Sequence, residues 1–93
     1  MELAFRKFTI EQEGVLESFN LREENLTFKL RDSNGHILIK WDRNTRFLSE
    51  GVATSSSFLK AGKEIHAKYR DSLFTVPVAM EFCIDEPHST GDI

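Results

Sequence analysis

The chain is expected to fold as an all-β domain, a small five- to six-stranded antiparallel barrel with one short helical turn. Three observations lead there. Apolar residues recur with period two in almost every segment, the spacing of a half-buried strand. Glycines stand at the breaks in that phase, at Gly14, Gly35 and Gly62. With 93 residues there is room for one hydrophobic core and no second. A domain this small buries more surface if its sheet closes on itself. Residues 1–84 are assigned to that single barrel. Residues 85–93, where Pro87, Ser89 and Gly91 interrupt any pattern, are assigned to a disordered tail.

The elements follow in order. Lys7 to Asn20 reads as one long bent strand or two short ones. Phe8 and Ile10 are in opposite parity to Val15 and Phe19, and Gly14 is placed at the bulge that restores the phase. Arg22-Glu23-Glu24-Asn25 is a polar turn. Leu26, Phe28 and Leu30 then alternate with Thr27, Lys29 and Arg31, and Ile37, Ile39 and Trp41 with His36, Leu38 and Lys40. Asp32-Ser33-Asn34-Gly35 joins these two strands, with Asn-Gly suited to the positive φ of a tight hairpin. Asp42 to Thr45 is a further turn, followed by the apolar pair Phe47 and Leu48.

The Ser cluster at 55–57 can cap a single helical turn that Phe58 and Leu59 pack and Gly62 ends. That turn would plug one end of the barrel. Ile65, Ala67 and Tyr69 face inward on the next strand, with Lys63, Glu64, His66 and Lys68 among its exposed positions. The last strand presents Val76, Val78, Met80, Phe82 and Ile84 on one face, and Pro77 marks an edge or a strand start. The expected core is Phe28, Ile37, Ile39, Trp41, Ile65, Val78, Met80 and Phe82.

Composition narrows the function. Twelve basic against fifteen acidic residues give a net charge of −3, which argues against strong general nucleic-acid binding, since that rests on surplus Lys and Arg facing phosphates. The apolar fraction of 40% and charged fraction of 29% are those of a globular chain. No stretch approaches the roughly 20 apolar residues of a membrane span. No basic segment followed by an apolar run opens the sequence. It therefore reads as cytoplasmic as written, and as exported if leading sequence has been trimmed away. The single Cys83 has no disulfide partner in the chain and is expected to be a small buried hydrophobe.

The stretch from Gly14 to Ile84 resembles a bacterial family of small β-barrel domains of unknown function, often found in exported proteins and similar to the oligonucleotide/oligosaccharide-binding (OB) barrel. Gly14-Val15, then Phe19 and the Leu26-to-Trp41 hairpin, resemble its opening. Asp42 with Thr45-Arg46-Phe47 resembles its D-x-x-T-x-F step, and Phe58 to Ile65 its L-K-x-G-x-x-V turn into a strand. Val78-Ala79 leads the last strand as the family's V-A does. These are turn and packing residues, so the resemblance implies an OB-like fold and no catalytic residue.

The residues themselves suggest no catalytic site. His36, His66 and His88 lack metal-ligand spacing, and a zinc site of His36, His66 and Cys83 is signalled by no motif. Glu81 is the solvent side of a strand, the serines lack a nucleophile-elbow context, and no phosphate-binding glycine loop is present. No metal and no cofactor is implied. The expected function is a non-catalytic binding or interaction module, with a protein partner or a second copy of the chain. An OB-like oligonucleotide or oligosaccharide binder is the alternative. Candidate contact residues are Lys29, Arg31, His36 and Lys40 on the outward face of the central hairpin, together with Phe74 and, at the N-terminal end, Phe5. Nucleic acid would call for aromatics interleaved on that basic face, where the sequence has Leu38 instead.

Overall fold

In the computed structural model, which describes residues 9–70 and 75–85, seven strands form one sheet. They are β1 (Thr9–Asn20), β2 (Asn25–Leu30), β3 (His36–Lys40), β4 (Arg46–Ser49), β5 (Val52–Thr54), β6 (Glu64–Arg70) and β7 (Ala79–Asp85). A single 3-10 turn, Ser56–Phe58, lies between β5 and β6. The strand order is β3-β2-β1-β6-β7-β4-β5. Neighbours are antiparallel except β4 and β7, which pair in parallel. No helix among the described residues is long and apolar enough to cross a membrane.

The expected five- to six-stranded antiparallel barrel is therefore corrected: the sheet has seven strands, is mixed, and does not close. Its ends are β3 and β5. Across the gap beside β3 stands one isolated parallel bridge, Lys40 to Val78, with the Lys40 N–H donating to Pro77 O at 2.9 Å. Pro77 has no N–H to extend a ladder.

The sheet nevertheless coils around its own core. Four strand spacings separate β3 from β7, about 19 Å in a flat sheet. Yet Trp41, just past β3, lies with its ring centroid 6.4 Å from that of Phe82 on β7, edge-on, and 5.6 Å from that of Phe47 on β4. Leu16, Leu26, Phe28, Ile39, Ile65, Ala67, Phe82 and Ile84 complete a buried cluster on this inner face.

β1 produces the coil. Its first half, Thr9 to Val15, pairs with β6, and its second half, Gly14 to Asn20, pairs with β2. At the handover Gly14 lies so close to β2 that a Cβ would stand 1.9 Å from the Lys29 carbonyl oxygen. Only glycine permits that approach. The bulge itself is not at Gly14, where the sequence suggested it, but between Leu16 and Ser18. Val15 therefore points outward and is 42% exposed, while Leu16 and Phe19 face the core.

A second bulge corrects the expected core. The β6–β7 register skips Met80, with Lys68 opposite Glu81 but Tyr69 opposite Ala79. Ala79 and Phe82 thus both face inward, Val78 is 43% exposed, and Met80 is only half-buried. Lys63, expected outside, is buried on the same parity as Ile65; its Nζ sits 4.0 Å over the Phe58 ring and donates to Phe58 O.

The hairpin turn also differs. Neither Asn34 nor Gly35 has positive φ. The β2–β3 loop is held instead by the Gly35 N–H donating to Ser33 Oγ and the Leu30 N–H to Gly35 O. The two-residue turn with both φ positive is Glu50-Gly51, between β4 and β5, which matches strand twist as primed turns do. The 3-10 turn forms where expected, its Ser57 N–H capped by Ser55 Oγ. Its own residues are not buried; Leu59, just after it, fills that end of the core. Of the expected tail, Asp85 is the last residue of β7, and 86–93 lie outside the described residues.

Candidate binding surface

Alternation on β2 and β3 brings Lys29, His36 and Lys40 to one outward face. Lys29 stands opposite His36, Thr27 opposite Leu38, and Asn25 opposite Lys40. Leu38 is 46% exposed between the two basic positions. The four basic candidates are not equivalent. Arg31 reaches Glu64 at 3.2 Å and Glu13 at 4.0 Å, and the His36 Nδ1 is 2.6 Å from Glu17 Oε1. The exposed Lys29 and Lys40 carry the remaining charge of this face. Phe5 and Phe74 lie outside the described residues.

β3 is an end strand, and among the described residues its outer side is open over His36 and Leu38. Backbone amides along a strand point alternately to either side. Because Lys40 donates outward, to Pro77, the Leu38 and His36 amides face outward too. Among the described residues the bridge at Lys40 is not continued to Leu38. The β4–β5 end of the sheet is shorter, three residues with Val52 68% exposed.

The Lys40 bridge leads directly into a groove of about 580 Å³, within the roughly 300–1,000 Å³ common for binding pockets. Its described walls are the β3–β4 turn, the start of β4, the end of β6 and the segment entering β7. Val76, Pro77, Val78 and Met80 give it an apolar side, and Arg46 and Arg70 a cationic one. Arg46 is loosely tied, 3.7 Å from Glu81 with its side chain 70% exposed. Asp42 is used within its own turn, its Oδ1 accepting the Asn44 N–H at 2.8 Å. Sequence reading passed over this groove because parity placed Val78 and Met80 in the core. The nearest signal was Pro77, three residues before the bulged Met80, which removes a ladder donor without marking the bulge itself.

A second cleft, about 290 Å³, opens on the outer face of β1, β6 and β7. Register sets Glu13, His66 and Cys83 in one row across three strands, the residue types of a nucleophile, its base and an orienting carboxylate. The geometry connects His66 to Glu13 but not to Cys83. His66 has Nε2 2.9 Å from Glu11 and Nδ1 3.3 Å from Glu13, so both ring nitrogens face carboxylates. The Cys83 thiol turns to Glu81 Oε2 at 3.6 Å. Burial, then the Glu81 and Asp85 carboxylates, push the thiol pKa above its ordinary value, against a smaller opposing pull from Lys68. The expectation of Cys83 as a small buried hydrophobe is corrected as well: it is half-buried on the outward parity. The described residues bring together no three His, Cys, Asp or Glu side chains that could hold a metal ion, and His36 stands apart on β3.

The fold is similar to that of CusF from Escherichia coli. Against the apo form the TM-score is 0.66 at 10% identity, covering 86% of this chain and 90% of that one. Against an Ag(I) form it is 0.67 at 9% identity, covering 88% and 98%, and against a further Ag(I) structure 0.64 at 10%, covering 83% and 97%. No protein-family model and no curated protein sequence matches the chain. At such identity the likeness is one of fold. The expected OB-like family therefore stands only in its coarser form, a β-sheet domain of a kind found in a bacterial protein.

Proposed function

We propose that this chain is a non-catalytic interaction module that receives an extended protein segment along the open edge of β3. The observation that carries this reading is the interruption of the ladder: among the described residues β3 ends the sheet, its His36 and Leu38 amides face away from β2, and the Leu38 side chain is exposed. Strand addition supplies main-chain hydrogen bonds at such an edge, and alternate side chains supply specificity. The absence of catalysis is supported by the outer cleft, where His66 faces two carboxylates and not Cys83, and where burial and Glu81 push the Cys83 thiol pKa up.

Soft-metal carriage is the second reading, and the Ag(I) forms of CusF favour it. The donor set here does not fit: Met80 lines the groove and Cys83 the separate outer cleft. Two measurements discriminate. Calorimetry with Ag(I) is expected to give no tight stoichiometric binding, and one-to-one binding below micromolar would replace the interaction reading. Amide shift mapping with a neutral extended peptide, Thr-Val-Thr-Val-Thr, is expected to move His36 and Leu38 selectively. Shifts scattered elsewhere, or none at β3, would refute strand addition.

A further inference from the structure

We infer that the segment received at the β3 edge is acidic and apolar, with carboxylates spaced along an extended strand and an apolar residue entering the adjoining groove. This rests on the strand-addition reading and names the chemistry of the partner.

The surface is continuous. Lys40 ends β3, bridges Val78 and is followed at two residues by Asp42, and both Val78 and Asp42 line the groove. Along it the described ion pairs leave Lys29, Lys40 and Arg70 without a carboxylate, while Arg46 has only the loose contact with Glu81 at 3.7 Å and Glu17 is taken by His36. Lys29 and Lys40 flank Leu38 on the outward face, and Arg46 and Arg70 stand on the groove. The groove's one described carboxylate, Asp42, already serves its own turn. This local excess lies on a chain whose net charge is −3, so it is a feature of this surface and not of the composition. Charge complementarity of this kind sets partner choice and speeds encounter. Leu38 and the Val76, Val78 and Met80 wall supply apolar contact between the charges.

A second copy of the chain is a poor occupant. Antiparallel β3–β3 pairing centred on Leu38 would set Lys40 of one copy opposite His36 of the other, at both ends of the contact. No carboxylate would stand opposite either Lys40, so the self-pairing adds no charge complementarity across the strand pair. A nucleic acid would meet the same cations but no described aromatic on the hairpin face for stacking.

The test uses a labelled peptide, Glu-Thr-Val-Thr-Glu-Thr-Leu, with Gln-for-Glu and Lys-for-Glu versions, followed by fluorescence anisotropy and amide shift mapping. The acidic peptide is expected to bind about tenfold or more tighter than the Gln version. It should shift His36 to Lys40 and Thr75 to Met80, and weaken as salt rises above about 0.15 M. Lys40→Glu and Arg70→Glu, both at exposed side chains, should each cost about tenfold in affinity with an unchanged melting temperature. Equal binding of the Gln or Lys peptide at β3 would overturn the acidic inference while leaving strand addition standing. Failure of all three to shift β3 would overturn both. Tighter binding of mixed-sequence single-stranded DNA, lost in the same two variants, would assign the surface to nucleic acid and overturn the inference.

Discussion

Thr45 is buried, and its hydroxyl ties two parts of the chain together. It donates to Ala79 O at 2.6 Å and accepts the Asp42 N–H at 3.0 Å, so one oxygen fixes the β3–β4 turn to the start of β7. Thr45→Val keeps the shape and removes both bonds, leaving the Asp42 N–H and the Ala79 carbonyl without this partner. The expected loss is about 1–3 kcal/mol, read as a lowered urea midpoint at unchanged slope. Cys83 gives a residue-scale prediction in pH. Its pKa is raised by burial and then by Glu81 and Asp85, so at pH 8 it holds less thiolate than a free cysteine and alkylates more slowly. Glu81→Gln removes one of those carboxylates and should speed alkylation at that pH; an unchanged or slower rate would refute the cause assigned. Both residues show what single positions reveal. The Asp42 to Thr45 turn was legible because its contacts are three residues apart, whereas Ala79 lies thirty-four residues on. Lys63 shares the inward parity of Ile65, but its charge concealed it, since a long stem can be buried while the amine finds Phe58.

At the scale of elements, the strands were legible and the bulges were not. Period two located β1, β2, β3, β6 and β7, and the Ser cluster located the 3-10 turn. A bulge adds one residue to one strand, and nothing in the sequence marks which residue. Val78 and Met80 were placed in the core for that reason, and Gly14 was given a bulge that lies at Leu16–Ser18. Gly14 has a different duty, which its substitution exposes. In Gly14→Ala the methyl would meet backbone atoms of Lys29 at 1.9 and 2.7 Å, and a backbone cannot swing aside as a side chain does. Its cost should lie at or above the top of the roughly 1–3 kcal/mol typical of overpacking. Gly35→Ala, with only side-chain atoms at 3.2 and 3.3 Å, should be far milder. Equal melting temperatures for the two variants would contradict the handover role of Gly14. Phe82→Ala tests the corrected register: Phe82 is fully buried against Trp41 and Phe47, and its loss should cost about 3–5 kcal/mol. Met80→Ala should cost clearly less.

For the whole molecule, sequence period tells which face of each strand is buried but not whether the last strand meets the first. Closure depends on one short stretch, Lys40 against Pro77 and Val78, where a proline interrupts the pairing. The parallel β4–β7 contact was equally invisible, because β4 is four residues long and its partner lies beyond β6 in sequence. The candidate surface was half legible. Lys29, Leu38 and Lys40 came from alternation, while the Arg46 and Arg70 groove exists only once the bulge has turned Val78 and Met80 outward. The central claim is that β3 has an open edge, and site-resolved amide hydrogen exchange of the free protein tests it most directly. The account predicts protected amides at Ile37 and Ile39, which face β2, and fast exchange at His36 and Leu38, which face outward. Protection of His36 and Leu38 equal to that of Ile37 and Ile39 would contradict it.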